Sequence, residues 1–330
     1  MNDGDALWYV GVYLVAVLFF WCNTNFWWKM FEYFKVRQFV HRTYQDKVFY
    51  TTNFSGCVHH VFVATYSWYL LYNSCHNPLG NPWRSEEGGS LTAANMDYGW
   101  LRNEVCMQEV NKGYVYNVIA SMAYMTVDYA ILKMWIDKPS VLQQQTIMHH
   151  IMAISGFGFS LIAGFGMPGV SNASLVCEFS NVFLSLKEMF TKDTRNSFWG
   201  IIVQLSFFLS YTVFRFVLFP FLAYRTVTVT ILSWTFIGWF RRLCMVYCVL
   251  QAQAVTLLNM YWYLLILKGL KRLLETVGVL KKREGDSSYD DVEKYEASAH
   301  TELVKEQKET INEGGSSLKA REDREEKKNC

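Results

Sequence analysis

Long stretches almost free of charge constrain this chain more than any other feature. Residues 7–22, 58–72, 115–135, 147–167, 198–223 and 243–267 are mostly long enough to cross about 30 Å of hydrocarbon at about 1.5 Å per residue. A soluble core has no use for so many. Hydrophobic residues at 52% and aromatics at 17% of 330 also exceed what a soluble domain usually carries. A seventh span is expected over residues 173–190, where Glu178, Lys187 and Glu188 interrupt an otherwise apolar pattern. Residues 227–240 are short for a span and read as an interfacial or re-entrant piece. The expected fold is all-α, a polytopic transmembrane helical bundle of about seven spans.

The flanking charges set an orientation. Residues 1–6 hold Asp3 and Asp5 and no Lys or Arg, so they lack the positive n-region of a cleaved signal peptide. An N-terminal transmembrane helix over residues 1–28 is therefore expected to be retained. A basic linker follows over residues 29–46 with Lys29, Lys35, Arg37 and Arg42, whereas the segment 74–112 carries Glu86, Glu87, Asp97, Glu104 and Glu109. By the positive-inside rule the linker is cytosolic and the acidic segment lumenal. Seven spans then place the tail, residues 275–330, in the cytosol, although Arg225, Arg241 and Arg242 fall on the lumenal side. The tail is rich in Lys, Glu, Asp, Ser and Gly and is expected to be disordered. It ends in Lys327, Lys328, Asn329 and Cys330, the dilysine pattern read by retrieval coats. Eight cysteines are scattered with no CxxC pair, so no metal site is expected. Cys75 and Cys106 share the lumenal segment, where a disulfide is permitted.

An ionisable side chain in lipid costs several kcal/mol and generally faces protein or water. Residues at i, i+3, i+4 and i+7 share a helix face. On that spacing Asn117, Ser121, Tyr124 and Asp128 form one stripe, Ser174, Glu178, Asn181 and Ser185 a second, and Gln204, Tyr211, Thr212 and Arg215 a third. The last span offers Thr256, Asn259 and Tyr263. Several helices, each with one wet seam, imply a bundle around a polar cavity. For the Ser, Thr and Asn members alone, hydrogen-bonded glue between helices is the better account; Asp128, Glu178 and the histidines ask for more.

Adjacent helical residues point about 100° apart, so neither His59 and His60 nor His149 and His150 both face inward. His149 shares its face with Gln145, Gly156 and Ser160, and His60 with Asn53, Ala64 and Ser67, whereas His150 shares its face with Ile154, Phe157 and Leu161. The expectation is that His149 and His60 look into the cavity, with His150 at its edge and Asp128 orienting His149. Under the seven-span order His60, Asp128, His149 and Asn259 lie in the cytosolic half. Glu178 and Arg215 lie in the lumenal half as a structural ion pair that offsets the cost of both charges.

The His149-His150 pair opening a span, AYMTVDYAILKM around Asp128, EFSNVFLSLKEMF from Glu178, Phe214-Arg215 beside Pro220, and LNMYWYLLILKGL around Asn259 and Trp262 together resemble the TLC domain. Their order and spacing carry the likeness, which covers residues 47–274. The family includes ceramide synthases, translocon-associated proteins and smaller lipid-regulating members. The resemblance implies a six-helix barrel made of the second to seventh spans and residence in the endoplasmic reticulum. In ceramide synthases it also implies paired histidines that transfer a fatty acyl group from coenzyme A. Those enzymes follow the pair with His-Asp and a second Asp three residues on. This chain has Cys177-Glu178 and then Asn181, and no homeobox-like segment between its first two spans. It looks closer to the smaller members.

Two classes of function remain open. As an acyl-CoA-dependent lipid acyltransferase, the chain would use His149, His150 and Asp128 for proton or acyl transfer, with His60, His59, Asn259, Trp262 and Tyr124 lining the cavity. As a non-catalytic protein, the same cavity would hold a lipid or a client membrane protein and regulate membrane composition or export. Membrane lipids are the expected partners, with a homo-oligomer or client protein as further ones; no bound cofactor is expected, and acyl-CoA is the co-substrate of the enzyme reading. The glycine patterns of nucleotide sites are absent, and Gly156, Gly158, Gly164, Gly166 and Gly169 read as close-packing sites. A formal net charge of +2 without a basic aromatic groove argues against nucleic acid.

Overall fold

With no water in the bilayer core, a spanning backbone must satisfy its own hydrogen bonds, and a helix does so within itself. The computed structural model describes residues 3–73, 112–136 and 141–278, and those residues are helical with no strand. Helix α1 (Asp3–Tyr33) and the short α2 (Arg37–Val40) lead into α3 (Tyr44–Asn73). Then come α4 (Lys112–Trp135) and α5 (Val141–Ala163). A 3-10 turn, Val176–Glu178, joins α6 (Met167–Leu175) to α7 (Phe179–Met189) in one rod. After α8 (Lys192–Arg195), α9 (Phe198–Tyr211) continues through a π-helical segment, Thr212–Leu218, into α10 (Phe219–Ser233). The last helix among the described residues is α11 (Trp239–Thr276). The chain divides into two units, residues 1–273 and 274–330, and the bundle belongs to the first. The acidic segment with Cys75 and Cys106, and the tail with Lys327 and Lys328, lie outside the described residues.

Among the described residues five helices are long and apolar enough to cross a membrane by length and composition: Ala6–Tyr33, Lys112–Trp135, Gln143–Ala163, Phe198–Ser233 and Trp239–Thr276. The two remaining rods, α3 and α6–α7, are the more polar ones because they carry much of the interior. Leu7, Leu14, Leu18, Phe62, Leu209 and Leu264 are exposed, while Thr51, Ser55, Ser67, Asn117, Ser121 and Asn172 are buried. Apolar side chains outside and polar ones inside invert the pattern of a soluble domain. This is a multi-pass membrane protein.

Residues 227–240 correct the expectation of a separate re-entrant piece. Residues up to Ser233 finish α10, and Trp239 opens α11. The Phe198–Ser233 helix is 36 residues long, well beyond the roughly 20 that a hydrocarbon core requires. Its excess supplied the ambiguous apolar run.

Helix α3 packs against α4 and α7, α4 against α5, and α7 against α9. Helix α11 closes the ring through Trp262 to Gln145 and Tyr247 to Ser155 on α5, and through Asn259 to Tyr211 on α9. Helix α1 lies outside, held to α3 by Asn23 and Ser55 and to α4 by Tyr13 and Thr126. Helix α6 packs on α3, α4, α5 and α10, with Met167, Asn172 and Leu175 at most 1% exposed. Asn117 donates to Ser67 Oγ at 2.7 Å and to Asn172 Oδ1 at 2.8 Å, knitting α3, α4 and α6. Here the polar stripe is glue.

Positive φ at Gly164, Phe165 and Gly166 reverses the chain between α5 and α6, so these glycines serve a turn rather than helix packing. Gly156 does serve packing: a Cβ there would overlap the Gln251 amide, which donates from Nε2 to Met152 O. Gly156→Ala is expected to push Gln251 away and lower stability by about 1–3 kcal/mol. Thermal unfolding of the solubilised protein, followed by tryptophan fluorescence, checks this; an unchanged transition would show that the α5–α11 contact is dispensable.

Candidate functional site

Alternating helix directions bring the start of α3, the end of α4, the start of α5, the end of α7 and the end of α11 to one end of the bundle. A cavity of about 400 Å³ opens there, reaching Gln143, Lys187, Glu188 and Leu273. Deeper in, His60, Tyr124, Asp128, His149, His150, Arg215 and Trp262 line it. Phe207, Phe208, Leu265, Ile266 and Leu270 make an apolar wall. A second cavity of about 100 Å³ continues toward the other end between α5, α6, α10 and α11. His149 and Arg215 border both.

His150 Nε2 lies 2.7 Å from Asp128 Oδ2, and both residues are buried. An ionised carboxylate only accepts, so Nε2 carries the proton of this bond and Nδ1 is the nitrogen left for chemistry. Nδ1 of His150 and Nδ1 of His149 are buried without a hydrogen-bond partner among the described residues. His149 meets Trp262 edge-on at 6.0 Å between ring centres, and Trp262 Nε1 donates to Gln145 Oε1 at 3.2 Å.

Glu178 is a junction. Arg215 donates from Nη2 to Glu178 Oε1 at 3.1 Å and from Nε to Ser180 Oγ at 3.0 Å. Asn181 Nδ2 donates to Glu178 Oε2 at 2.6 Å. His60 Nδ1 lies 3.1 Å from the same oxygen, but off the line of a well-formed hydrogen bond. Distance governs the attraction between these groups, so the contact is electrostatic more than directional. The π-helical segment sets Arg215 inward, as such irregular turns often do at functional sites.

A model of the TLC domain matches residues 50–268, a stretch that contains all of these side chains except Leu270 and Leu273. The chain belongs to the TLC-domain family. No curated protein matches it. Membership makes it a lipid-related membrane protein, and the cavity is the interior of its TLC domain.

Within the TLC domain several expectations need correction. Asp128 holds His150, not His149, because α4 crosses α5 on the side that His150 presents. His150 is 6% exposed and lines the cavity rather than its edge. His59 turns away from the cavity: its ring stacks on Tyr124 at 4.0 Å and meets Phe20 of α1 edge-on at 5.3 Å. Its neighbour His60 takes the inward direction. Asn259 lies in the α9–α11 seam, where Tyr211 donates its hydroxyl to Asn259 O at 3.2 Å. Trp262 takes the cavity side of that helix instead. Glu178 and Arg215 do not form a separate lumenal layer but contact the histidine cluster directly. The rod bearing Glu178 starts at Met167, ahead of the apolar run read from sequence, which places Glu178 at mid-depth. Ser180 and Gly56 were not singled out from sequence; small residues carry no signal of what packs on them.

Proposed function

We propose that this TLC-domain protein is an acyl-CoA-dependent lipid acyltransferase of the endoplasmic reticulum with its C-terminus in the cytosol. The observation that carries the reading is the buried His150–Asp128 pair at 2.7 Å facing a cavity. A histidine held by a carboxylate on one nitrogen presents the other for proton transfer in a fixed tautomer, which general acid–base catalysis requires. His149, at the junction of the two cavities, stands beside it. The polar mouth at Gln143 and Lys187 suits a water-soluble coenzyme headgroup, and the wall of Phe207, Phe208, Leu265 and Leu270 suits an acyl chain. Basic residues of the α1–α3 connection and the first turn of α3, Lys35, Arg42 and Lys47, support a cytosolic mouth.

The test uses full-length protein in nanodiscs, given palmitoyl-CoA and an endoplasmic-reticulum lipid extract. Thiol release and new acyl-lipids by mass spectrometry are expected, with His150→Gln lowering turnover by about 10²–10⁴-fold at unchanged folded yield. The apolar wall also fits a non-catalytic protein that binds a lipid or client and regulates membrane composition or export. Lipid binding without thiol release in the wild type would select that second reading.

A further inference from the structure

Tyr124 lines the cavity at 6% exposure, and its hydroxyl makes no hydrogen bond among the described residues. A buried phenol usually finds a partner, so one left open beside a cavity is a donor kept for what the cavity binds. Other donors near the histidines are engaged. Arg215 gives Nη2 to Glu178 and Nε to Ser180, Asn181 gives Nδ2 to Glu178, and Trp262 gives Nε1 to Gln145.

The Tyr124 ring is held from several sides. His59 stacks on it at 4.0 Å between ring centres with 17° between planes. His60 meets it edge-on at 5.6 Å, and Phe20 of α1 does so at 5.7 Å. Phe20 also braces His59 at 5.3 Å. A helix that precedes the matched residues 50–268 thus helps to fix a cavity side chain, and His59, turned away from the cavity, is the platform of that ring. Gly56 makes room for the hydroxyl: a Cβ there would stand 2.5 Å from the Tyr124 oxygen. On α4, Tyr124 stands one turn before Asp128 on the same face, about 6 Å along the axis. Asp128 holds His150 at 2.7 Å, so the fixed donor and the proton-transfer pair border one cavity.

We propose that the Tyr124 hydroxyl is the oxyanion donor of this site, hydrogen-bonding the thioester carbonyl oxygen as the acceptor attacks. The proposal rests on the acyl-transfer reading and adds the group that stabilises the developing charge. A donor already aimed where negative charge forms costs no reorganisation at the moment of reaction. The acceptor X–H bonds through X to the carbonyl carbon, its proton goes to His150 Nδ1, and the carbonyl π pair moves to oxygen. Tyr124 keeps its proton and donates a hydrogen bond to that oxygen. On collapse the carbon–oxygen double bond reforms and the carbon–sulfur bond breaks with its electron pair going to sulfur. The thiolate takes the proton from His150 Nδ1, and acyl-lipid and coenzyme A thiol leave.

The test uses the full chain in nanodiscs with palmitoyl-CoA and an endoplasmic-reticulum lipid extract. Tyr124→Phe removes one oxygen and keeps the ring contacts, so folded yield should be unchanged while kcat falls by about 100–1,000-fold with KM near wild type. Gly56→Ala displaces the hydroxyl without removing it and should cost about 100-fold, as small misplacements of catalytic groups do. The double variant should be no slower than Tyr124→Phe, because displacement matters only where a hydroxyl is present. Losses that multiply in the double variant would overturn the hydroxyl as the group Gly56 accommodates. Hexadecyl-CoA, a thioether with no carbonyl, should bind wild type and Tyr124→Phe equally in calorimetry. Weaker binding that accounts for the lost turnover would make the hydroxyl a ground-state contact and overturn the proposal. Tyr124→Phe turnover within a few-fold of wild type would overturn it too, with the acyl-transfer reading left standing. A wild type that releases no thiol removes that reading and the oxyanion role together.

Discussion

Glu178→Gln is expected to lose most of the folded protein. The substitution leaves Arg215, 3% exposed and anchored to Ser180, as an uncompensated cation in the bundle, and breaking a buried pair from one side costs about 3–5 kcal/mol. The reverse change should be milder. Arg215→Met strands Glu178, but Asn181 Nδ2 at 2.6 Å and His60 Nδ1 at 3.1 Å remain beside its carboxylate. The double variant, with neither charge, should recover much of the yield, since replacing both members of a buried pair by neutral groups is often close to neutral. Fluorescence-detected size exclusion after detergent extraction reads all three. Wild-type yield in both single variants would remove the pair from the account of stability, and equal losses in the two would remove the compensating role of Asn181 and His60.

The apolar runs made the helices legible, because a spanning segment has few alternatives in lipid. The limits came where one helix hands over to another. The boundary at residues 234–238 was invisible because Phe198–Ser233 stays apolar past the membrane thickness. Helical spacing turned His60, Asp128 and His149 inward, and all three line the cavity. It misjudged His150 because its face was scored by its own apolar neighbours, while its partner comes from α4, whose crossing with α5 no periodicity encodes. For Glu178 the obstacle was depth: the helix start at Met167 is set by the turn at Gly164, Phe165 and Gly166, not by the first apolar residue. Asn117 shows the opposite case. Its stripe is real, yet its hydrogen bonds to Ser67 and Asn172 are complete within the protein, so it adds packing rather than chemistry.

Asp128→Asn should leave the fold intact and reduce palmitoyl-CoA turnover by about 10⁴-fold, the scale seen when a histidine's carboxylate partner becomes an amide elsewhere. The two side chains are nearly isosteric, and an Asn amide can still hydrogen-bond His150 Nε2, now 2.7 Å from Asp128 Oδ2. What changes is charge and tautomer. An amide does not offset the positive charge a ring gains when it takes a proton in the reaction, and by donating its N–H to Nε2 it moves the ring proton onto Nδ1, the nitrogen left for chemistry. Nδ1 then has no lone pair with which to take the acceptor's proton, while binding is untouched. The loss should therefore fall on kcat, with KM close to wild type. Lipid extracts from cells carrying only this variant should match those from cells lacking the protein. Turnover within a few-fold of wild type, in protein of normal yield, would reduce Asp128 to a packing contact and move the chemistry away from His150.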